Sequence, residues 1–389
     1  MARKICILTT AHPTFDVRIF HKEGKALARA GYEVILVASG QVDGTYEGVT
    51  LKCLPVWKSR ADRFLRGTAA VYRLALQADA DVYHFHDPEL IPVALLLLIQ
   101  GKKVVYDIHE DLPRTIVYKN YIPRVLVKPI SRTVELIEDC ASRRFSALVT
   151  ASPQIASRFT KRNRNLAVVN NYPKMEEIQV PSGNSFKDRE RTLLYVGMRI
   201  TRSRGAEEMV RSMAFLPKDL RADLRLVGNW EDPELVSSLK QLPGWDRTTF
   251  LGLLDRGGVA GELQKAYAGL VILHPEPNYV TSQPVKLYEY MCAGIPVIAS
   301  DFPVWREIVT KAQCGLLVNP MKPQEIAEAM EFLLTHPEEA EEMGRRGFQA
   351  IVEHYNWATE EEELLRFYSK LLSQDAAFET SLMGRGQTA

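Results

Sequence analysis

Short apolar segments alternate with helix-like segments along this chain, and the same rhythm occurs once in each half. In the first half the apolar segments are residues 5–9, 33–38, 82–85, 104–108 and 147–150. In the second half they are residues 193–197, 224–228, 250–253, 270–273 and 296–300. Apolar strands separated by helices are typical of a parallel sheet that is covered on both faces. The pattern therefore predicts an α/β fold with two Rossmann-like domains, facing each other across a cleft that holds the ligands.

The chain has 389 residues, which is more than one hydrophobic core usually supports. Between the two halves lies Asn170-Asn171-Tyr172-Pro173, followed by a polar stretch over residues 174–191 with little apolar periodicity. These features predict a linker, with domains over residues 1–172 and 173–357. The tail over residues 374–389 is predicted to be disordered. The predicted helices include residues 22–30, 90–99, 323–336 and 358–372.

The composition bears on partners and location. A formal net charge of +1 gives no support for nucleic-acid binding, which normally needs a basic imbalance or a long basic run. The five cysteines are scattered without metal-ligand spacing, as expected for buried thiols in a reducing compartment. The N-terminus runs directly into a strand-like segment, and the apolar run over residues 90–99 is about half the length that crosses a bilayer. We expect a cytoplasmic protein.

Residues 284–299 carry clear start and stop signals for a helix. Pro284 suits the first helical position, and Gly294 suits the left-handed residue that ends a helix. A helix start presents free backbone N–H groups and the positive end of the helix dipole. The approach to this helix, Thr281-Ser282-Gln283, is therefore predicted to cradle a diphosphate.

Glu289 lies just over one turn into this predicted helix, on the face that also carries Val285. From there its carboxylate is placed to accept two hydrogen bonds from a vicinal diol such as a ribose. The alternative is an ordinary α/β helix on which Lys286 and Glu289 form a solvated pair. Spacing alone does not separate the two interpretations.

A loop with three arginines follows the first strand of the second half. It runs from Gly197 to Gly205 and contains Arg199, Arg202 and Arg204. Arginines facing the predicted helix start would complete a diphosphate clamp and stabilise a departing diphosphate. Solvated loop arginines are an equally good interpretation of this loop taken alone.

Histidines and acids lie at the ends of two strands of the first half, in the runs His84-Phe85-His86-Asp87 and Tyr106-Asp107-Ile108-His109-Glu110-Asp111. They can contact a sugar and its phosphate, act as acid or base, or be buried structural histidines. Neither run has the helical spacing of a metal site and no third ligand is evident, so no metal is predicted. His12, Asp16 and Arg18 either face an acceptor or pin their own loop. The absence of a G-x-G-x-x-G run argues against a dehydrogenase.

In their order and spacing, these segments resemble the retaining GT-B glycosyltransferases of group 4 over essentially the whole chain. The matching segments are residues 197–205, Gly228, residues 250–252 and residues 286–299. The run Asn170-Asn171-Tyr172-Pro173 resembles the interdomain crossover, and Tyr355-Asn356-Trp357 resembles the segment after which the last helix returns to the first domain. The resemblance thus implies a helix over about residues 358–373 that packs on the first domain.

The resemblance also implies roles for individual residues. Glu289 would hold the ribose diol, Arg199 and Arg204 would bind the diphosphate, and His109 would contact the donor sugar. Leu253 would meet the base through its backbone, where the preceding Gly252 either allows a flat base to approach or simply ends a strand. The other residues expected around the donor are Gly197, Arg202, Thr281, Ser282, Gln283, Pro284 and Val285.

Two departures from the family pattern bear on the donor. The family often has a second glutamate eight residues before the first, and that position is Thr281 here. The usual contact to the hydroxyls of the donor sugar is therefore missing. The arginine loop is one residue longer than the common spacing, so that Arg202 competes with Arg199 for the same role.

The resemblance implies a metal-independent hexosyltransferase that moves a sugar, with retention, from a UDP- or GDP-linked donor to a hydroxyl of a carbohydrate or lipid-linked acceptor. No cofactor besides the nucleotide-diphosphate sugar is expected, and the pathway would be polysaccharide or glycolipid biosynthesis. One alternative is a nucleotide-sugar epimerase of the same fold, which needs acids placed for proton abstraction. The other is a two-domain sugar-binding protein without catalysis.

The stretch over residues 121–145 mixes basic and apolar side chains as an interfacial helix does. Such a stretch is more often a helix within a domain, and Pro123 and Pro129 interrupt this one. Peripheral contact with the inner face of the membrane therefore stays open beside a purely structural role.

Overall fold

The computed structural model describes residues 2–117, 122–178 and 186–385, with side chains through residue 373. The chain divides into two compact units, one of residues 1–171 with 358–389 and one of residues 172–357. Tyr172 thus belongs to the second unit rather than to the first. Each unit is built on its own sheet with helices between the strands, which confirms the predicted α/β fold class.

Apart from one short edge strand, the sheet of the first unit is parallel. Its strands are β1 (Lys4–Pro13), β2 (Glu33–Ser39), β3 (Gly44–Tyr46), β4 (Val49–Leu54), β5 (Val82–Phe85), β6 (Lys103–Ile108), β7 (Ala147–Thr150) and β8 (Leu166–Val168). Within the described residues their order is β3-β4-β2-β1-β5-β6-β7-β8, and β3 is antiparallel to β4. The sequence did not predict β3, β4 or β8, because none of them carries a sustained apolar run.

Helices connect these strands. They are α1 (Lys25–Arg29), α2 (Arg60–Asp62), α3 (Thr68–Ala78), α4 (Ile91–Ile99), α5 (Leu112–Ile116), α6 (Arg124–Ser142) and α7 (Pro153–Phe159). π-helical turns at Ile19–Gly24 and Arg63–Gly67 lead into α1 and α3. The helix predicted over residues 22–30 therefore starts earlier than expected, at Ile19, and its first part is a π-helix.

The sheet of the second unit is parallel throughout its described strands. These are β9 (Thr192–Ile200), β10 (Asp223–Trp230), β11 (Thr248–Gly252), β12 (Ala268–Val271), β13 (Val297–Ser300) and β14 (Gly315–Val318). Their order is β11-β10-β9-β12-β13-β14. The first predicted segment, residues 193–197, was too short, because β9 continues to Ile200 and includes Arg199.

Helices cover both faces of this second sheet. They are α8 (Ala206–Ser212), α9 (Pro233–Leu239), α10 (Arg256–Lys265), α11 (Pro277–Val280), α12 (Val285–Cys292), α13 (Pro303–Ala312), α14 (Pro323–Thr335) and α15 (Pro337–Glu353). The last helix, α16 (Trp357–Arg385), returns to the first unit. Its helical backbone extends beyond Gln374 into the tail that was predicted to be disordered; residues 386–389 lie outside the described residues.

Alternation along β9 supplies two separate cores. Leu193 and Tyr195 pack into the cluster on one face of the sheet, and Leu194 and Val196 pack into the cluster on the other. Successive side chains of a strand point to opposite faces, so this central strand is buried on both sides. Tyr195 is thereby fixed near the C-terminal end of the sheet.

The polar stretch predicted as a linker is integrated into the second unit where it is described. Phe186 is buried, and Arg189 donates hydrogen bonds to the carbonyl oxygens of Leu263, Gln264, Ala266 and Ala293. Residues 179–185 of the stretch lie outside the described residues. Throughout the described ranges, no helix is long and apolar enough to cross a membrane.

Candidate functional site

Helix α12 begins one residue later than the sequence predicted. Pro284 is the N-cap, with an extended backbone at φ −73° and ψ 122°, and Val285 is the first helical residue. The Pro284 carbonyl accepts the first helical hydrogen bond, from the Leu287 N–H at 3.0 Å. The helix ends at Cys292, and Gly294, two residues further on, has the φ of +64° that confirms the predicted left-handed stop.

The approach to α12 is held by two aromatic side chains. Trp305 Nε1 donates to the Ser282 carbonyl at 2.7 Å, and the Tyr288 hydroxyl hydrogen-bonds Gln283 Oε1 at 3.1 Å. The Thr281 hydroxyl turns back to the Pro277 carbonyl at 3.0 Å. The segment is therefore ordered around a helix start whose first N–H groups have no intrahelical partner.

Glu289 is buried and forms an ion pair that the sequence did not reveal. Only 8% of the residue is exposed, and its Oε1 accepts a hydrogen bond from Arg256 Nη1 at 3.0 Å. Arg256 Nε also donates to Glu177 at 3.1 Å. Arg256 follows Leu253, the predicted base contact, by three residues. Its ion pair with Glu289 therefore connects the segment of the predicted base contact to the predicted ribose contact. The partner was missed because it lies on another helix, with no local spacing signal.

Lys286 is buried on the same helix, so the interpretation of a solvated Lys286 and Glu289 pair is wrong. Only 9% of Lys286 is exposed, and its Nζ lies 3.7 Å from the ring centroid of Tyr195. A Cβ atom on Gly197 would lie 3.2 Å from this Nζ and 2.8 Å from the Tyr195 hydroxyl. Gly197 therefore leaves room for both side chains. Burial and the nearby Arg204 charge hold the pKa of Lys286 well below its usual range.

The three arginines of the loop have different surroundings. Arg204 interacts electrostatically with the hydroxyls of Tyr195 and Tyr279, and the Tyr195 hydroxyl donates to the Arg199 carbonyl at 2.9 Å. The side chain of Arg199 is exposed. Arg202 is turned to an ion pair with Glu207. Arg204 is thus the arginine that the fold places beside Lys286.

Leu253 directly follows β11 and is half-exposed. The preceding Gly252 has a φ of +74°, and among the described atoms nothing lies within 4 Å of the position its Cβ would take. The glycine is needed here for its left-handed backbone. The surface beside it is open, as a backbone contact to a flat ring requires.

His109 lies in the first unit and belongs to a buried polar network. Its Nε2 is 3.0 Å from His86 Nδ1 and 3.6 Å from an Asp107 oxygen, and its side chain is 23% exposed. His84 and His86 are fully buried, which matches the structural alternative for these two histidines. Burial, with the charges of neighbouring histidines, holds the pKa of His86 well below its usual range.

Four buried side chains of this network have the spacing of a metal site, although the sequence showed no third ligand. One ligand atom from each lies within 4.8 Å of the others, and the four are Glu23, His84, His86 and Asp107. The guanidinium of Arg18 already contacts both carboxylates, at 2.9 Å from Glu23 and 2.9 Å from Asp107. Burial opposes ionisation of Asp107, but Arg18 and His109 outweigh it and hold its pKa well below the usual range. We interpret the group as an ion-pair network.

Arg18 and Asp16 pin the loop after β1 to its own unit, which was one of the two interpretations left open. Arg18 Nη1 donates to the Val169 carbonyl at 2.8 Å, and Asp16 accepts from the Arg18 and Ile19 N–H groups. His12 remains partly exposed, 3.3 Å from Asp16.

The second unit therefore brings together several residues of the predicted donor site. Gly197 and Arg204 meet the first turn of α12 through Tyr195 and Lys286. Leu253 is linked to Glu289 through Arg256. Arg202 is directed elsewhere, and His109 is part of the other unit.

Comparisons with known proteins identify a family model for each of the two units. A family model described as glycosyltransferase family 4 matches residues 17–171, and one described as glycosyl transferases group 1 matches residues 178–350. An uncharacterised glycosyltransferase of Methanocaldococcus jannaschii is 26% identical over 194 residues, which are 50% of this chain and 48% of that protein. The chain spans about half the length of the curated relatives it matches.

Solved structures extend the fold similarity to nearly the whole chain. Sucrose-phosphate synthase from Thermosynechococcus elongatus has a TM-score of 0.77 at 20% identity, covering 96% of this chain and 100% of that chain. Anabaena HepE, solved in complex with UDP, has a TM-score of 0.70 at 15% identity, covering 95% and 100%. With the first unit matched by the family 4 model and the second by the group 1 model, the chain belongs to the GT-B glycosyltransferases of the group 1 and family 4 type.

Proposed function

We propose that this protein transfers a sugar from a nucleotide-diphosphate donor to an acceptor hydroxyl, with retention of the anomeric configuration. The observation that carries the proposal is the buried Glu289, one turn inside a helix whose start is surrounded by cationic side chains. Its carboxylate is suited to the ribose diol. Family membership and the UDP bound to HepE support a nucleotide-linked donor.

The chemistry assigned to the second unit is stabilisation of the leaving diphosphate. Arg204, with the exposed Arg199 and the N–H groups at the start of α12, places positive charge where the diphosphate oxygens gain negative charge as the glycosidic bond breaks. We propose that these groups make a metal and any cofactor unnecessary. Transfer should then survive chelation with EDTA, and loss of turnover that Mg²⁺ or Mn²⁺ restores would contradict this part.

Transfer or donor hydrolysis in Glu289→Ala and Arg204→Ala tests the main proposal. Both variants should lose at least about tenfold in turnover with UDP- or GDP-sugars, while Arg306→Ala, which removes an exposed ion pair with Asp301 in the same unit, should behave like wild type. Near wild-type turnover in both site variants would sink the proposal. Analysis of the sugar and nucleotide products separates transfer from epimerisation of the donor and from binding alone.

The acceptor proposed is a carbohydrate or lipid-linked hydroxyl, in polysaccharide or glycolipid biosynthesis. Helix α6 of the first unit supports a site at the inner face of the membrane. At 100° per residue its exposed apolar side chains share one face, next to exposed basic residues on its polar side. The apolar residues are Val125, Leu126, Ile130, Leu136 and Ile137, and the basic ones are Arg124, Lys128 and Arg132.

An anionic lipid surface is the partner that such a combination of side chains fits. The protein should bind phosphatidylglycerol vesicles at low salt more tightly than phosphatidylcholine vesicles. Replacing both Leu136 and Ile137 by Glu should abolish this binding, whereas Phe348→Glu, at an exposed apolar position of α15, should not. Equal binding of both vesicle types, or none, would contradict the membrane proposal without touching the transfer reaction.

A further inference from the structure

Lys286 carries an amine that the fold itself leaves without a hydrogen-bond partner. Its Nζ is buried, and it makes no hydrogen bond within the described part of the chain. When the amine is charged, its contact with the Tyr195 ring offsets part of the desolvation. A ring face does not satisfy the three N–H donors of an ammonium group. The side chain is therefore incomplete as a structural element.

Stability alone does not explain a lysine at this position. A methionine of similar length would fill the same space over Tyr195 without a buried amine. Residues that break a local packing rule without compensation tend to lie at functional sites. The surroundings of Lys286 are therefore expected to be completed by a chemical group of a bound ligand.

The charged and titratable groups around Lys286 identify the missing partner as an anion. Arg204, from the loop after β9, faces it with like charge, and Glu289 faces it from its own helix. The Glu289 carboxylate already accepts a hydrogen bond from Arg256. The Tyr195 hydroxyl donates to the Arg199 carbonyl. Within the described residues, the Arg204 guanidinium and the Lys286 amine thus converge without an unshared anion between them.

The position of the amine in the fold narrows the anion further. Lys286 is the second residue of α12, an eight-residue helix, so the residue belongs to the turn that carries the free N–H groups. The amine also lies 3.2 Å from the position that a Cβ atom on Gly197 would take. A group that meets the amine, Arg204 and the helix start at once must carry several acceptor oxygens, as a diphosphate does.

We propose that Lys286 binds a phosphate oxygen of the donor diphosphate and that its amine takes up one proton from solvent when the diphosphate binds. This inference rests on the proposed nucleotide-diphosphate donor. In the free protein, burial and Arg204 favour the neutral amine. An incoming diphosphate reverses that balance, because an opposite charge at contact distance favours the ammonium form. The step converts a neutral amine and a solvent proton into an ammonium ion paired with phosphate.

Calorimetric titration of the full chain with UDP and GDP, in buffers of different ionisation enthalpy, tests both parts. Wild type should take up a proton between neutral pH and about pH 9 as the nucleotide binds. Lys286→Met should weaken nucleoside diphosphate binding by about tenfold or more and abolish this uptake. Its binding of the nucleoside alone, uridine or guanosine, should be unchanged. Lys311→Met, at an exposed lysine of α13, is the matched control.

The outcomes separate this inference from the proposed function. Proton uptake in wild type is measured without any variant, so a poorly folded Lys286→Met does not prevent a decision. If wild type binds a nucleoside diphosphate without proton uptake, or Lys286→Met binds it within about twofold of wild type, the role of Lys286 is overturned and the donor site stands. If wild type binds neither UDP nor GDP, both proposals fall.

Discussion

Glu289 is a buried acid whose carboxylate is positioned by an arginine at the proposed donor site. Its carboxylate is nearly enclosed, yet one oxygen already has a cationic partner in Arg256. The guanidinium itself is 43% exposed, so solvent screens it and the pair stabilises less than a fully buried one. Removing Arg256 should nevertheless take a hydrogen-bond donor from the buried Glu289 carboxylate.

Arg256→Ala should therefore lower the free energy of unfolding by about 1 kcal/mol and weaken nucleoside binding. Both effects follow from the loss of the bridge between the segment after β11 and α12. Urea denaturation and nucleoside titration measure them. Arg306→Ala, which breaks an exposed pair, should change neither quantity. Equal effects of the two substitutions would show that the Arg256 bridge has no special part.

The buried histidines of the first unit should make stability depend on pH. Burial keeps the folded-state pKa of His86 well below its ordinary value of 6.5. The unfolded chain then binds more protons as pH falls below 6.5, so folding stability is lost in that direction. Burial raises the pKa of Glu23 well above 4.5. The contribution of Glu23 to folding stability therefore has the opposite sign, because it favours the folded state at low pH and is lost as pH rises.

His86→Gln separates the two contributions. Wild type should lose up to about 1.4 kcal/mol more per pH unit than the variant below pH 6.5. Urea denaturation at pH 7.5, 6.5 and 5.5 would detect the difference in slope. Parallel pH profiles for wild type and variant would contradict the assignment of a neutral, buried His86.

The residues that the sequence identified here are those whose role depends on local backbone. Gly294 was recognisable because a helix that stops before a proline needs a left-handed residue. Lys286 was misinterpreted, because neighbouring charges on a helix look the same whether the face is covered or open. Arg256 was missed because its partner Glu289 lies far away in sequence. Glu23 was missed because the other members of its cluster, His84, His86 and Asp107, also lie far away in sequence.

At the scale of elements, Gly205 decides the shape of the arginine loop. It separates the short 3-10 turn Arg202–Arg204 from α8 and has a φ of +72°. A Cβ atom there would lie 2.0 Å from the Ile272 carbonyl oxygen. The loop can approach β12 this closely only without a side chain, and Arg204 takes its direction from that approach.

Gly205→Ala should therefore destabilise the protein by more than about 2 kcal/mol, through left-handed strain and the clash with β12. It should also weaken nucleoside diphosphate binding, because Arg204 moves. Gly261→Ala is the matched control, since nothing in the described chain lies within 4 Å of its Cβ position in α10. That change should stabilise the helix by up to about 1 kcal/mol. Thermal unfolding gives both values, and a harmless Gly205→Ala would contradict the argument.

Elements were predictable where their burial pattern was simple. β5 and β7 match the predicted bounds, since each is a fully buried apolar run. The predicted segment for β9 was too short because Met198 and Arg199, which follow Gly197, are exposed, and only Ile200 is buried again. There the register with β10 shifts at Gly228, whose Cβ would lie 2.3 Å from the Gly197 carbonyl. Such a close backbone approach follows from tertiary contacts that no local pattern records.

For the whole molecule, the first unit is completed only by the last helix of the chain. The Glu360 carboxylate accepts hydrogen bonds from the Asn170 N–H and side-chain amide at 2.6 Å and 3.0 Å. The Tyr368 hydroxyl lies 2.6 Å from His84 Nδ1, and both residues are fully buried. The helix therefore contributes core contacts and is more than a surface addition.

Tyr368→Phe should destabilise the first unit by about 1–3 kcal/mol, because it leaves a buried histidine nitrogen without its partner. Tyr72→Phe removes a hydroxyl that meets the exposed Gln100 and should have little effect. Urea denaturation followed by near-UV circular dichroism compares them. If the two tyrosine variants are equally stable, α16 does not support the core as described.

The division of the first unit between the two ends of the chain also has a consequence for synthesis. Residues 1–171 leave the ribosome long before residues 358–373, which supply Glu360 and Tyr368. The second unit is continuous and emerges complete between them, and its two ends meet where the Trp357 N–H donates to the Pro173 carbonyl at 3.0 Å. Since domains fold as units during translation, the second unit of the nascent chain should fold first. The first unit should complete its core only after residues 358–373 have been synthesised.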